Sequence, residues 1–231
     1  MPTPTDSTPT QQPQLDVALT VATRDVEVRF TVGSGETLAL VGPNGAGKTT
    51  TLQALAGWLV PDSGYAHVDQ TVLFHCPVPH QPPTVWLPAA KRDIGYLSQD
   101  PALFPHLTAR ENIAYGMDRA GITRRRARLE AAEEWLERVG LAGYGNRKPA
   151  QLSGGQAQRV AIARVLASGP RVVLLDEPLA AMDRDAAPAL RELLAKVLRD
   201  QTVVLVTHHQ ADVEALADEV HDIHPGVSPW E

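Results

Sequence analysis

A glycine-rich segment, Gly42–Thr49, constrains the fold of this chain more than any other feature of its sequence. It has the form G-x-x-x-x-G-K-[ST], follows the short apolar run Thr37–Val41, and leads into a helical pattern, Lys48–Ala56, that ends at Gly57. This order lets successive backbone N–H groups and a helix N-terminus face one anion. We predict that the phosphate-binding residues are Gly42, Pro43, Asn44, Gly45, Ala46, Gly47, Lys48, Thr49 and Thr50.

In such a loop the lysine and the hydroxyl residue have different tasks. Lys48 would reach the β- and γ-phosphates, and the Thr49 hydroxyl would bind Mg²⁺. A chance glycine turn before a helix would look the same in sequence. The motif alone therefore indicates a nucleotide-binding protein and leaves kinases and GTPases open.

Two carboxylates follow a buried-type strand, in the run Val172–Glu177. The carboxyl edge of a parallel sheet is where ligands bind. Asp176 suits Mg²⁺, which keeps several waters and few protein ligands. Glu177 would point elsewhere and act as general base on the attacking water. The alternative is that Glu177 merely caps the next element.

A second glycine-containing helix start lies at Leu152–Gln156. Ser153 is a good N-cap, and the two glycines leave N–H groups accessible at a positive helix end. We predict a second anion site formed by Ser153, Gly154, Gly155 and Gln156. One ATP cannot easily use both sites of a monomer in separate subdomains. Two chains arranged head-to-tail would place each site over the other's γ-phosphate.

Strand-like and helix-like segments alternate along the chain, which predicts a largely parallel sheet with helices on both faces. Residues 15–32 are predicted as two strands joined by a turn at Thr23–Asp25, and His75–Pro88, with five prolines, as an exposed loop. Further strands are predicted at Val68–Phe74, Ile94–Leu97, Arg171–Asp176 and Gln201–Thr207, and helices within Thr108–Val139, from about Ser153, and at Ala186–Leu198.

Composition narrows the class of protein. The net charge of −6 argues against a general nucleic-acid binder, and the single cysteine, Cys76, cannot form an internal disulfide. We expect residues 1–14 to be a disordered tail and residues 15–231 a single domain. Its nucleotide-binding core would comprise 15–100 and 151–231, with an inserted helical subdomain at 101–150.

The motifs taken together resemble the ATP-binding cassette (ABC) ATPases. The residues that carry the resemblance are Gly42–Thr49, Gln99, Leu152–Gln156, Leu174–Pro178 and His208. The match extends from about residue 15 to 225. It implies a P-loop α/β fold with a mostly parallel central sheet, an antiparallel β-subdomain and a helical subdomain. It also implies ATP and Mg²⁺ as cofactors.

Several roles rest on this resemblance alone. Leu152–Gln156 would act in trans across an ATP-sandwich dimer, and Asp183 would couple its two sites. Gln99 would contact Mg²⁺ and the attacking water, and His208 would contact the γ-phosphate. Gln99 could instead be an ordinary loop amide. His208 and His209 could be a surface pair or a weak metal site, although we expect adjacent residues to point to opposite faces.

The sequence departs from the family where adenine binds. Many members stack adenine on an aromatic residue 25–30 positions before the loop lysine, but 17–24 contains none. Adenine would pack on aliphatic atoms or on Arg24.

The stretch Gln99–Ile113 is similar to importer cassettes for oxyanions, polyamines, iron or sugars, with molybdate-type importers the most similar. Leu103, Phe104 and Leu107 are candidate permease contacts or, equally, core residues. The resemblance implies a second ATPase subunit, permease subunits, an external solute-binding protein and a place at the cytoplasmic face of the membrane. We expect the regulatory domain usual in molybdate-type importers to be absent. A soluble or exporter-associated ABC ATPase and a P-loop kinase remain alternatives.

Ser153→Arg should preserve nucleotide binding and stop turnover, because the new side chain blocks the phosphate of the second molecule. The measurements are ATP affinity and phosphate release. A variant that stays monomeric and fully active would contradict the in-trans arrangement.

Overall fold

Two five-stranded sheets and six α-helices make up the part of the chain that the computed structural model describes, which is residues 14–79, 81–117, 122, 124–180 and 187–224. The strands are β1 (Leu15–Val21), β2 (Val26–Val32), β3 (Thr37–Val41), β4 (Ser63–Val68), β5 (Thr71–Cys76), β6 (Val85–Trp86), β7 (Ile94–Leu97), β8 (Val172–Asp176), β9 (Thr202–Val206) and β10 (Glu219–Asp222). The helices are α1 (Lys48–Ala56), α2 (Ala109–Gly116), α3 (Arg125–Arg138), α4 (Gly154–Leu166), α5 (Ala187–Val197) and α6 (Gln210–Leu216).

The central sheet is parallel throughout, in the order β10-β3-β9-β8-β7. β8 and β9 are buried along their whole length, which explains their continuous apolar sequences. Alternate residues face opposite sides, so Val172 and Leu174 belong to the apolar cluster around α1. Val173 and Leu175 belong to the cluster formed with α4 and α5. The predicted parallel sheet with helices on both faces is confirmed.

The second sheet is antiparallel, in the order β2-β1-β4-β5-β6. Its apolar face shares one cluster with α1 and the central sheet, so α1 lies between the two sheets. The short 3-10 turn Ala22–Arg24 connects β1 to β2, as the sequence predicts. The antiparallel β-subdomain implied by the family resemblance is thus confirmed.

A third apolar cluster joins α2 and α3 to α4. Leu129, Ala132 and Leu136 of α3 pack in this cluster together with Val139, the residue that follows α3. The helical pattern predicted within Thr108–Val139 corresponds to two helices, α2 and α3. The capping box of Thr108 with Glu111 starts α2.

Two predictions for the antiparallel sheet are wrong. The predicted strand Val68–Phe74 contains a turn at 69–70, because Asp69 adopts a left-handed conformation with φ of 51° and reverses the chain between β4 and β5. The segment His75–Pro88 is only partly an exposed loop. β5 continues through the buried Cys76, and β6 pairs with it as a two-residue edge strand, where flanking prolines are tolerated.

None of the described helices is long and apolar enough to cross a membrane.

Arg92 is the largest fully buried side chain of the described residues, and it binds the C-terminal end of α1. Its guanidinium donates to the carbonyl oxygens of Ala54 and Leu55, at 2.7 and 2.8 Å, and to that of Leu87 at 2.7 Å. It also lies 4.3 Å from the ring centre of Trp86. Burial lowers the pKa of Arg92 to about 10, which leaves it charged at neutral pH. One side chain therefore joins the phosphate-loop helix to the antiparallel sheet.

Arg92→Met should lower the free energy of unfolding by about 2–3 kcal/mol, because hydrogen bonds from a charged donor to buried carbonyls are lost. Urea denaturation measures this change. Arg126→Met is the control. Arg126 is exposed and pairs with Glu130 one turn away, so its loss should cost under about 0.5 kcal/mol. Equal losses in the two variants would contradict a structural role for Arg92.

Candidate active site

The phosphate loop connects β3 to α1 and depends on glycine at two positions. Gly42 has φ of 139°, and a Cβ there would collide with the carbonyl oxygen of Ile223. Gly47 has φ of 94°, and a Cβ there would collide with the side chain of Val26. Other residues rarely adopt these conformations. The loop therefore needs glycine at these two positions to adopt this closely packed conformation.

The ammonium of Lys48 lies inside the curve of this loop. It donates to the carbonyl oxygens of Gly42 and Pro43, at 2.7 and 2.8 Å, and the residue is buried. The Ala46 N–H closes a turn on the Pro43 carbonyl at 3.2 Å. A fixed positive charge and the N-terminus of α1 thus face the same small space, which suits a phosphate group.

Asp176, at the end of β8, accepts hydrogen bonds at both carboxylate oxygens. Thr49 donates to Oδ1 at 3.1 Å, and the Tyr96 hydroxyl donates to Oδ2 at 3.0 Å. Burial raises the pKa of the Asp176 carboxyl above its ordinary value, and the two hydrogen bonds offset part of that rise. Burial and the nearby Asp176 charge also raise the pKa of Tyr96 well above its usual range. The predicted metal ligands Thr49 and Asp176 are therefore adjacent.

Glu177 and His208 lie together at the same edge of the sheet. Glu177 has φ of 48°, unusual for a residue with a side chain, and its N–H donates to the Val206 carbonyl at 2.9 Å. His208 Nδ1 is 3.4 Å from Glu177 Oε1. The rings of His208 and His209 are 3.9 Å apart, so our expectation that these residues point to opposite faces is wrong. Both residues follow the end of β9, where strand alternation no longer applies.

Two other predicted site residues are less closely defined. Gln99 is exposed and lies two residues beyond β7, which neighbours β8, so it is at the same sheet edge. Asp183 lies outside the described residues.

Ser153 is the N-cap of α4 and forms a reciprocal capping box with Gln156. The Gln156 N–H donates to Ser153 Oγ at 3.3 Å, and the Ser153 N–H donates to Gln156 Oε1 at 3.0 Å. α4 packs against the sheet face opposite to that covered by α1. The two predicted anion sites therefore belong to helices on opposite faces of one sheet.

Comparison with known proteins identifies the family. The model of the ABC transporter family matches residues 26–180, more than half of the chain. The chain belongs to this family.

Its relatives include two kinds of ABC import protein. The molybdenum import ATP-binding protein ModC of Mycobacterium tuberculosis is 45% identical over 212 residues, which cover 90% of this chain and 56% of that protein. The Fe(3+) ions import ATP-binding protein FbpC of Agrobacterium fabrum is 43% identical over 201 residues, which cover 84% of this chain and 52% of that protein. The chain spans about half the length of the curated relatives that it matches.

A solved ABC structure shares the fold along most of the chain. The ATP-binding cassette MJ0796, solved as a dimer in a post-hydrolysis state bound to ADP and Pi, superposes with a TM-score of 0.77 at 28% sequence identity. The match covers 93% of this chain and 96% of that one. The ABC ATPase fold class implied by the sequence resemblance is confirmed.

Sequence reasoning about the ABC motifs missed Tyr96. It lies on β7 opposite Leu174 in the parallel register, so its hydroxyl can reach the end of β8. The motif predicts which residues would bind Mg²⁺, but it does not predict which neighbouring side chain holds Asp176 in place. The one sequence signal that could have indicated this role is weak: a tyrosine on the strand that leads to Gln99.

Arg24 lies beside the phosphate helix, in the turn between β1 and β2. Its guanidinium donates to Thr50 Oγ1 at 3.1 Å and to Gln53 Oε1 at 3.3 Å. The exposed Arg24, named in the sequence as a possible adenine contact, is thus next to the predicted site residue Thr50.

Asp176→Asn should stabilise the nucleotide-free protein at pH 8 by about 0.5–2 kcal/mol, the usual size of a stabilising substitution. A raised pKa means that the ionised carboxyl is less stable in the folded chain than in the unfolded one. This cost is present above the folded pKa and vanishes below the unfolded pKa of about 4. Thermal unfolding at pH 8 and pH 4 measures the effect.

The control for this prediction is Asp25→Asn, at an exposed carboxyl in a left-handed turn. It should change stability little at either pH. A gain for Asp176→Asn that does not shrink on acidification would contradict burial of the charge as its cause.

Proposed function

We propose that this chain is the ATP-hydrolysing subunit of an ABC transporter of the importer type. The observation that carries the proposal is the collection of Lys48, Thr49, Asp176, Glu177 and His208 at the carboxyl edge of one parallel sheet. A phosphate-binding loop, a pair of hard oxygen ligands and a carboxylate beside a histidine are the groups that nucleotide hydrolysis needs.

In this proposal the loop and Lys48 bind the phosphate chain of ATP. Thr49 Oγ1 and Asp176 Oδ1, 3.1 Å apart, offer oxygen ligands, which fits Mg²⁺. Gln99, at the same sheet edge, would complete the site. Bound Mg²⁺ would supply positive charge to the β- and γ-phosphate oxygens. The planar guanidinium of Arg24 is our candidate contact for adenine, since cationic groups pack favourably against aromatic rings.

Glu177 would act as general base. Its carboxylate would take a proton from the water whose oxygen attacks the γ-phosphorus, while the bond from that phosphorus to the bridging oxygen breaks and ADP leaves. His208, 3.4 Å from Glu177, would orient the γ-phosphate and the carboxylate together. The left-handed backbone at Glu177 supports this role, because strained residues at a site aim side chains that an ordinary turn would not.

The site would be completed by a second copy of the chain. Ser153 and its glycines start a helix on the sheet face opposite to α1, so one nucleotide cannot readily contact both in a monomer. In a head-to-tail dimer, the Ser153–Gln156 segment of one copy would contact the γ-phosphate held by the other. Asp183 would couple the two sites. The dimeric state described for MJ0796 supports this arrangement.

The import function is supported by the relatives and by the exposed surface. ModC and FbpC are named as import ATP-binding proteins. Tyr115 of α2 is an exposed large apolar side chain, at 62%. Leu107 lines a groove with Tyr115, whereas Leu103 packs between two apolar clusters and is a core residue. We propose that permease subunits contact the groove of Leu107 and Tyr115, in a helical subdomain at 101–150.

The complex would lie at the cytoplasmic face of the membrane, and an external solute-binding protein would deliver the solute. Because the named relatives import different ions, the permease and the binding protein would select the solute.

Glu177→Gln should nearly abolish slow ATP hydrolysis, by roughly 10²- to 10⁴-fold, because the general base is lost. ATP-bound dimers should accumulate. Phosphate release and size-exclusion chromatography with ATP and Mg²⁺ measure the two effects. A tagged form of this variant should also co-isolate the permease from its source membrane.

Glu219→Gln, at an exposed carboxyl on the edge strand β10, is the matched control and should hydrolyse ATP normally. Undiminished turnover in Glu177→Gln would remove Glu177 from its role. ATP consumption with transfer of phosphate to an acceptor, and no free phosphate, would favour a kinase.

A further inference from the structure

The turn that carries His208 is closed by the hydroxyl of Thr207. Thr207 follows β9 and is 1% exposed. Its Oγ1 accepts the N–H of His209 at 3.1 Å and donates to Asp212 Oδ2 at 3.0 Å. One buried hydroxyl therefore ties the backbone on both sides of His208 to the start of α6.

Asp212 is itself held by a buried ion pair. Its Oδ1 accepts two hydrogen bonds from Arg191 on α5, from Nε at 2.9 Å and Nη2 at 2.6 Å. The Asp212 side chain is 1% exposed, and its N–H donates to the His209 carbonyl at 3.0 Å. Charge-assisted bonds of this kind are strong and directional. They fix the carboxylate against which Thr207 is aligned.

The His208 ring has weaker restraints of its own. It lies 3.4 Å from the Glu177 carboxylate and stacks near the exposed ring of His209. Glu177 is in turn bonded through its N–H to the carbonyl of Val206, the residue before Thr207. The backbone at the end of β9 is therefore the common anchor of both side chains.

We propose that Arg191, Asp212 and Thr207 are positioning residues for His208 in ATP hydrolysis. They act through the turn 207–209 and touch no substrate. The inference rests on the proposed function, since it concerns the same site. Without the Thr207 hydroxyl, the turn would open and His208 would lose its alignment with Glu177.

The choice of test variant follows from the charges. Arg191→Ala or Asp212→Ala would leave a buried charge without its partner, which strongly destabilises a protein. Thr207→Val keeps the branched shape of the side chain and replaces the hydroxyl with a methyl group, which can neither donate nor accept a hydrogen bond. Thr202→Val is the matched control, because Thr202 is 3% exposed at the other end of β9 and its hydroxyl accepts the Gly35 N–H at 2.8 Å.

Thr207→Val should lower kcat for ATP hydrolysis roughly 10- to 100-fold, as small misplacements of reacting groups do. The Kd for ATP should change less than twofold. Thr202→Val should lower the melting temperature comparably and leave kcat within twofold of the starting protein. Thr207→Ser, which keeps the hydroxyl, should restore kcat. Equal kcat values for Thr207→Val and Thr202→Val would overturn the inference.

A double-mutant comparison separates positioning from general damage. The rate of single-turnover hydrolysis of labelled ATP should be the same in His208→Ala and in the double variant that also carries Thr207→Val. Neither protein has a histidine at position 208 for Thr207 to position. A further loss as large as that in the His208 protein would overturn the inference. Absence of hydrolysis in the unmodified chain with ATP and Mg²⁺ would instead refute the proposed function, and the inference with it.

Discussion

Parallel hydrogen bonding between β8 and β9 pairs Asp176 with Val206. This register determines which residues follow β8 and β9 at the same edge of the sheet. β3 pairs with the other side of β9, so the loop after β3 lies at that edge too. Three chain segments therefore lie together at one edge of the sheet: the phosphate loop after β3, the carboxylate pair at the end of β8 and the turn with His208 after β9. A shift by one residue would send each buried side chain to the other face. The apolar sequences of β8 and β9 thus fix the site as well as the core.

Several groups at the site are energetically unfavourable in the folded chain, and contacts around them offset this cost. Lys48 and Asp176 are charged groups buried at the sheet edge, and Glu177 has a left-handed backbone. Such features persist only where neighbouring contacts leave no alternative. Here α1 is held between two sheets, and Arg92 binds the carbonyls at its end. Packing along α1 and the Arg92 bonds at its C-terminal end therefore help to fix the phosphate loop that precedes it.

The sequence allowed the parallel sheet and the identities of the motif residues to be predicted, because both depend on short local patterns. The strand β8 and its two carboxylates are one continuous run, and the loop with its helix is another. The sequence did not reveal that Tyr96 bonds to Asp176, 80 residues further along the chain. Nor did it reveal that Arg191 pairs with Asp212, 21 residues further along. Such contacts depend on strand order and helix packing. The turn at Asp69 was missed because apolar β-forming residues lie on both sides of it.

The position of α1 and α4 on opposite faces of the central sheet bears on how two copies of the chain would assemble. Alternation along β8 sends Leu174 toward α1 and Leu175 toward α4, so the helix after the phosphate loop and the helix after Ser153 are separated by the sheet itself. No rotation of a side chain can bring the start of α4 around to the phosphate loop at the start of α1. The capped, glycine-containing start of α4 is exposed on that other face, away from the phosphate loop of its own molecule. In the proposed head-to-tail dimer, the alternation that builds the core therefore leaves the Ser153 segment to contact the phosphate held by the second molecule.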